Sequence, residues 1–122
     1  MDKKTIGKKG EDFACQYLQN KGFTIIERNW SCFGGEIDII AKDLKEYVFA
    51  EVRTKKKNSA IKPIDTITFS KQKRIKKAIE QYMYDNRLET FARCDIVCVV
   101  YEIMNNEAVF NLDNHIVRID IN

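Results

Sequence analysis

Hydrophobic residues follow two different spacings along this chain of 122 residues. Apolar stripes at intervals of three to four residues predict one helix over about 6–20 and another over about 70–86. Gly22 is well placed to end the first helix. The stripes consist of Ile6, Phe13, Ala14, Tyr17 and Leu18 in the first helix, and of Ile75, Ala78, Ile79, Tyr82 and Met83 in the second.

Segments rich in β-branched and aromatic residues lie on both sides of the second predicted helix. Before it they predict strands over 23–29, 36–42 and 47–54, with turns or loops over 31–35 and 43–46. After it they predict a central strand over 93–103 and edge strands over 108–112 and 115–121. The stretch 55–67 has weak periodicity and holds the only proline, Pro63, which indicates a mobile basic loop. The order of elements predicts a single mixed α/β domain over 1–122, with helices packed on a sheet.

Composition narrows the class of protein. With 44% hydrophobic residues and only five glycines, the chain can bury a core, and its charges are of mixed sign. Neither a signal peptide nor an apolar run near the roughly 18 residues of a membrane span is visible, so we expect a soluble cytoplasmic protein. The four cysteines form no CxxC pair, and the single histidine, His115, cannot complete a zinc-finger pattern.

Basic residues are concentrated between Arg53 and Lys77. This segment carries ten basic residues and one acid, Asp65, whereas the rest of the chain has more acids than bases. Such segregation favours a polyanionic partner, namely nucleic acid, although an ordinary solvated loop and helix face is the alternative. The residues in this segment that we expect to contact nucleic acid are Lys55, Lys56, Lys57, Lys73, Arg74 and Lys76.

Two acids are predicted to face each other in the hairpin over 36–54. If its turn is centred between residues 44 and 45, Asp38 lies opposite Glu51, and Glu36 lies opposite Arg53. Opposed like charges destabilise a sheet, and a divalent cation such as Mg²⁺ or Mn²⁺ would relieve the repulsion. Alternation puts Glu36, Asp38, Glu51, Arg53 and Lys55 on one face, and Ile37, Ile39, Val48, Ala50 and Val52 on the other.

An alternative interpretation of the hairpin is that both acids face solvent and pair with Arg53, Lys55 or Lys42. Outside the hairpin, Glu11 projects from the edge of the first helix's buried stripe, where it either pairs locally or points into a site.

Two aromatic residues flank the predicted turn. Trp30 and Phe33 are candidates for contact with nucleobases, and core packing is the alternative for both and the favoured one for Trp30.

Several blocks of the sequence resemble the YraN-like family of uncharacterised bacterial proteins. The strongest is the pair Gly35-Glu36-Ile37-Asp38-Ile39-Ile40-Ala41 and Val48-Phe49-Ala50-Glu51-Val52-Arg53. The opening Gly7-x-x-Gly10-Glu11, the helix around Lys73 to Ala78 and the strand Arg93-Cys94-Asp95-Ile96-Val97 also match, so the resemblance covers nearly the whole chain. It implies a restriction-endonuclease-like, or PD-(D/E)xK, fold similar to that of archaeal Holliday-junction resolvases.

The resemblance also implies a site and an activity. Asp38, Glu51 and the Val52 carbonyl would hold Mg²⁺ or Mn²⁺, and Glu11 would complete the site. Arg53 occupies the place of the pattern's lysine, and it is a poor general base because a guanidinium does not lose its proton in proteins. Arg53 could instead clamp a phosphate or stabilise developing charge, and the water would be activated by the metal alone or with the help of Lys55 or Lys73.

The expected function is that of a metal-dependent endonuclease or resolvase-like enzyme acting on structured or branched DNA. A homodimer follows only by analogy with resolvases, which cut two strands symmetrically. Two alternatives stay open: a non-catalytic nucleic-acid-binding module of the same fold, and a protein-interaction domain that docks an acidic partner.

Overall fold

The computed structural model describes residues 1–119 as a five-stranded mixed sheet with one helix packed on each face. The strands lie in the order β1-β2-β3-β4-β5, with β3 and β4 parallel and the other neighbours antiparallel. The predicted class, a mixed sheet flanked by helices, is confirmed. The elements are α1 (Lys3–Asn20), β1 (Thr24–Cys32), β2 (Gly35–Asp43), β3 (Glu46–Lys56), a short 3₁₀ helix (Pro63–Thr66), α2 (Phe69–Asp85), β4 (Ala92–Met104) and β5 (Glu107–Ile116).

Side chains fix the start of both helices. The Asp2 carboxylate accepts a hydrogen bond from the Thr5 amide at 2.8 Å and caps α1. The Thr68 hydroxyl accepts one from the Lys71 amide at 3.1 Å and caps α2. Both helices therefore begin slightly before their apolar stripes indicate. Among residues 1–119, no helix is long and apolar enough to cross a membrane.

The core has two layers, because the central strands are buried on both faces. One layer joins α1 to the sheet and the other joins α2 to it. Strands covered on both sides are rich in apolar residues throughout and do not alternate cleanly. The α1 layer contains Ala14, Leu18, Ile39, Ala41, Val48, Ala50, Val52, Val97 and Val99, and the α2 layer contains Ile37, Ile40, Phe49, Ile75, Ala78, Tyr82 and Cys94.

One predicted face assignment is wrong. Ile37 and Ile39 were expected on the same face of β2, but Ile37 packs in the α2 layer and Ile39 in the α1 layer. The change coincides with the point at which β2 stops pairing with β3, at Ile39 and Ala50. From that point towards Gly35, β2 is paired only with β1.

Several predicted strand ends are also corrected. β1 continues to Cys32, so the loop expected over 31–35 is a two-residue turn of Phe33 and Gly34. β3 continues to Lys56, because its backbone pairs with β4 as far as Tyr101 although its side chains are polar. The expected basic loop therefore loses its first two residues, and it contains the 3₁₀ helix at its other end.

The two predicted edge strands are one strand, β5. A bulge near Asp113 interrupts its register, since Cys98 pairs with Asn114 and Val99 pairs with Leu112. The residues around this bulge are polar, and for that reason the sequence predicted a break between two strands there. The last part of the expected strand over 115–121 lies outside the described residues.

Candidate active site

The site forms where the β2–β3 hairpin opens. The predicted register is confirmed over five pairs, from Asp43 with Glu46 to Ile39 with Ala50. The next pair, Asp38 with Glu51, is not made by the backbone. Instead, the Val52 amide donates a hydrogen bond to Asp38 Oδ2 at 2.8 Å. The Asp38 carboxylate therefore takes the place of a backbone acceptor and is fixed beside Glu51.

A depression of about 390 Å³ lies at this opening, and we call it the acid pocket. It brings together the three predicted acids, Glu11 from α1, Asp38 from β2 and Glu51 from β3. Its lining is Gly7, Glu11, Glu36, Asp38, Glu51, Val52, Arg53, Thr54, Lys55, Thr66 and Lys71.

A glycine places Glu11 in the pocket. Gly10 is buried against Thr54 of β3, and a Cβ at this position would collide with the Thr54 side chain. Without a side chain at Gly10, α1 can lie close to β3 beside the opening of the hairpin. The next residue, Glu11, then lies within electrostatic reach of Asp38.

Glu51 is buried and incompletely hydrogen-bonded. Only 3% of it is exposed, and its Oε2 lies 3.1 Å from both Arg53 and Lys71. Its Oε1 is buried without a hydrogen-bond partner among residues 1–119. Burial, reinforced by the negative charge of Asp38, raises the pKa of Glu51 to about 8.

The pKa of Glu11 is also raised. Burial, together with the negative charge of Asp38, raises the pKa of Glu11 to about 7, and Arg28 offsets only part of this effect. At neutral pH Glu51, and in part Glu11, therefore retain protons that they would lose in water. A bound cation would favour the ionised forms by replacing those protons.

Lys71 is the residue of this site that the sequence analysis did not single out. Its side chain is 16% exposed, and its ammonium lies 3.1 Å from Glu51 Oε2 and 3.3 Å from Glu36 Oε1. A signal was present in the sequence, because Lys71 extends the buried stripe of Ile75, Ala78 and Tyr82 by one turn towards the N-terminus. A lysine in line with such a stripe points towards the sheet.

The other predicted partners are rearranged. Arg53 was expected opposite Glu36, but it binds Glu51 in its own strand, while Glu36 binds Lys71. The alternative in which both acids face solvent is wrong for Glu51, which is buried.

The two lysines proposed to replace the missing amine lie in different places. Lys55 lines the acid pocket. Lys73 does not, and its ammonium lies over the ring of Phe69, 4.7 Å from the ring centre. Lys71 is thus the lysine that contacts the acids.

The donor set of the acid pocket fits a hard divalent cation. Mg²⁺ binds through one or two carboxylates and retains several waters, and Mn²⁺ favours the same oxygen ligands. Glu51 Oε1 lacks a partner, and Asp38 and the Val52 carbonyl come from the same opening of the hairpin. No group of three or more His, Cys, Asp or Glu side chains in residues 1–119 is arranged as a complete metal site. The cation would therefore rely on two carboxylates, the carbonyl and water.

The predicted nucleic-acid contacts do not form one surface. Lys55 and Lys56 end β3, and Lys57, which follows them, pairs with Glu102 at 3.4 Å. On α2, Lys73 and Arg74 are exposed, and Lys76 lines a separate depression beside Ile79, Ala92 and Cys94. The basic segment is therefore divided between the end of β3 and the outer side of α2.

The two aromatic candidates have different environments. Trp30 packs in the α2 layer with its ring edge-on to Tyr82, so its core interpretation is confirmed. Phe33 is 93% exposed at the β1–β2 turn, with the Lys77 ammonium 5.5 Å from its ring centre.

The fold and site together define a small α/β domain with a buried acidic pocket at one end of a mixed sheet. Residues 10–99 match the uncharacterised protein family UPF0102, and the chain belongs to this family. The resemblance to YraN-like proteins is confirmed.

Curated relatives extend the match over most of the chain. A UPF0102 protein of Dictyoglomus turgidum is 38% identical over 116 residues, which cover 91% of this chain and 98% of that protein. UPF0102 proteins of Clostridium botulinum and Geobacter metallireducens are each 39% identical, over 105 and 99 residues. These matches cover 84% and 80% of this chain, and 85% and 81% of the relatives.

Proposed function

We propose that this protein is a metal-dependent endonuclease that hydrolyses phosphodiester bonds in structured or branched DNA, with the acid pocket as its active site. The observation that carries this proposal is Glu51, a buried carboxylate beside Asp38 with an oxygen that no described residue satisfies. Buried unsatisfied acids are costly, and such groups concentrate at functional sites. The resemblance to PD-(D/E)xK nucleases supports the same interpretation.

In this proposal Asp38, Glu51 and the Val52 carbonyl hold Mg²⁺ or Mn²⁺. A bound divalent cation supplies Lewis acidity towards the scissile phosphate and lowers the pKa of water. Asp38 is already oriented by the Val52 amide. Glu51 is oriented by two cations, Arg53 and Lys71.

Lys71 takes the part of the lysine that Arg53 has replaced. The Lys71 ammonium, beside the acids, can lie against a phosphate oxygen as a compact positive charge. Arg53 would contribute a fixed positive charge to the developing charge on the phosphate. Glu11 can accept a proton from water near neutral pH, because its pKa lies at about 7.

The partner would be nucleic acid, with DNA favoured, and we propose a cytoplasmic location. Cutting two strands symmetrically would require a homodimer, because one chain has one acid pocket.

A cleavage screen tests the activity. Linear, flapped and four-way DNA substrates are incubated with Mg²⁺ or Mn²⁺ and with wild type, Asp38→Asn, Glu51→Gln or Lys71→Ala. The matched control is Glu107→Gln, which removes one exposed acid far along the chain in β5. We expect cleavage by wild type and the control, and losses of at least about a hundredfold in the three pocket variants. Equal cleavage by all five proteins would indicate a contaminating nuclease.

The second candidate is a non-catalytic nucleic-acid-binding module. It is favoured by the two cations that already neutralise Glu51, since ion pairs alone can be the reason for a buried acid. Metal-free binding of a branched substrate by wild type, without cleavage under either metal, would make this the better assignment.

A further inference from the structure

The end of β3 and the start of α1 border a second depression, next to the acid pocket. Its volume is about 280 Å³, and it shares Gly7, Thr54 and Lys55 with the acid pocket. We call its polar lining, which consists of Lys3, Lys55, Lys56, Ser59 and Tyr101, the basic track. The two depressions are therefore continuous along β3.

The basic track differs in charge from the acid pocket. Its lining contains no acidic residue, and among residues 1–119 no carboxylate forms a salt bridge with Lys3, Lys55 or Lys56. The neighbouring Lys57 is different, because it pairs with Glu102. Three lysines without such a pair that converge on one depression produce a local positive potential, which attracts phosphates.

Regular elements hold the basic track in place. Lys56 pairs with Tyr101 in the parallel β3–β4 ladder, and the Lys57 amide donates to the Tyr101 carbonyl at 2.7 Å. A turn then returns the chain, with the Ser59 amide donating to the Lys56 carbonyl at 3.1 Å. Lys3 is the first residue of α1. A binding surface built on strands and a helix is better preorganised than one on a loop.

We propose that the basic track binds the sugar–phosphate backbone of the nucleic acid strand next to the phosphate held in the acid pocket. The ligand class is a phosphodiester chain, with the lysines contacting its phosphates and Ser59 and Tyr101 offering hydroxyl groups. The inference rests on the proposed function. The inference adds the path of the nucleic acid strand to the proposed function. The strand leaves the acid pocket towards the start of α1 and not along the outer side of α2.

The end of the track is set by charge. Lys56 and Ser59 also border a further depression that continues to Lys62, and there Asp113 introduces a negative charge. Asp113 weakens the positive potential at that point, whereas the basic track has no acid in its lining, so we place the end of the track at Ser59.

Metal-free binding as a function of salt tests the track. A fluorescent oligonucleotide, single-stranded or duplex, is titrated in EDTA with wild type, Lys3→Ala and Lys56→Ala. Each lost phosphate contact should reduce the slope of log affinity against log salt by about 0.7 for a single strand or about 0.9 for a duplex. At about 0.1 M salt this corresponds to a loss of roughly five- to eightfold in affinity. All variants are first checked for folding by circular dichroism.

Two further variants serve as controls for charge and path. Lys4→Ala removes the same charge from the neighbouring residue of α1, which does not line the track, and Lys73→Ala tests a path along α2. The proposal requires unchanged slopes in both. Equal slope changes in all four variants would mean diffuse attraction, and a change in Lys73→Ala alone would place the strand on α2; either result overturns the track.

The experiment also separates this inference from the proposed function. Binding in EDTA does not depend on cleavage, so the predicted slopes with no cleavage would retain the track and reject the enzyme. Equal salt slopes in wild type and all variants, together with cleavage that requires Asp38, would reject the track and retain the enzyme. No binding of any oligonucleotide by wild type in EDTA would overturn the track, and the cleavage screen would still decide the proposed function.

Discussion

Among residues 1–119 two acids are buried, Glu51 and Asp95, and their surroundings shift their pKa values in opposite directions. Asp95 is fully buried, receives hydrogen bonds from the Arg93 side chain and the Arg118 amide, and lies 2.8 Å from His115 Nε2. Burial alone would raise the pKa of Asp95, but these hydrogen bonds lower it below its usual range. Glu51 has two cations on one oxygen and no partner among residues 1–119 for the other, and its pKa rises.

The difference distinguishes a structural acid from a functional one. Asp95 joins β4 to the end of β5, and Arg93 continues the network to Asp43 and Glu46 at the β2–β3 turn. Every oxygen of Asp95 has a partner, so the network requires no ligand. Glu51 lies in the middle of β3, next to Ala50, which is the register partner of Asp95, and no residue in 1–119 hydrogen-bonds its Oε1. A ligand is needed there to complete the arrangement.

Removal of the structural acid should have the largest effect. Asp95→Ala removes the fully buried carboxylate of the network and leaves Arg93 only its more exposed partners Asp43 and Glu46, and breaking a buried ion pair typically costs about 3–5 kcal/mol. Urea denaturation should show a loss of this size in the free energy of unfolding. Glu51→Gln should cost far less or stabilise the protein, because Glu51 is largely protonated below its pKa of about 8 and glutamine is a neutral side chain of the same size. A larger loss of stability in Glu51→Gln than in Asp95→Ala would contradict the assignment of Asp95 as the structural acid and Glu51 as the functional one.

The two acids should also give stability opposite dependences on pH. Glu51 and Glu11 hold protons in the folded state up to about pH 8 and 7, while in the unfolded chain they lose them near pH 4.5. The free energy of unfolding of the metal-free protein should therefore fall as pH rises from about 5 to 8, by on the order of 1–3 kcal/mol. Glu51→Gln should flatten this fall in thermal melts followed by circular dichroism.

Asp95 should stabilise the protein above acidic pH, which is the opposite pH dependence. Its folded pKa is lowered, so its contribution is present above the unfolded value of 3.8 and is lost as pH falls below it. The acid side of the stability profile should therefore be unaffected by Glu51→Gln. A change on that side in this variant would show that the two networks are coupled.

The smallest effect is expected at the edge of the structural network. The Arg118 guanidinium is largely exposed and binds Glu46 at 2.8 Å, whereas the bond to Asp95 comes from the Arg118 amide. Arg118→Ala keeps the amide, so it should lower the free energy of unfolding by about 1 kcal/mol or less. A loss as large as that of Asp95→Ala would mean that the exposed ion pair holds the network together.

The sequence predicted the acid pocket better than it predicted the structural network. The proximity of Asp38 and Glu51 depends only on a turn centre and a strand period, which are local properties. The partners of Asp95 come from residues 93, 115 and 118, and their meeting depends on the bulge in β5 and the turn after it. No local pattern in the sequence specifies such a long-range arrangement.

The details of the pocket were missed for a related reason. The Asp38 carboxylate accepts the hydrogen bond of the Val52 amide, and this fixes the point at which β2 stops pairing with β3. A register derived from the sequence cannot show such a competition. Ile37 was assigned to the wrong face for the same reason. Lys71 could have been found, since the helical stripe of α2 gives its direction, but its contact with Glu51 requires the packing of α2 on the sheet.

Cation binding tests most directly the claim that Glu51 is functional and Asp95 structural. Mn²⁺ is titrated at pH 8 into wild type, Asp38→Asn, Glu51→Gln and the control Glu107→Gln, with binding followed by calorimetry and thermal melting. We predict one site in wild type and the control, with stabilisation of about 1–3 kcal/mol when the cation is well above its Kd, and proton release on binding. Both pocket variants should lose the site. Equal binding by all four proteins, or none by wild type, would contradict the account.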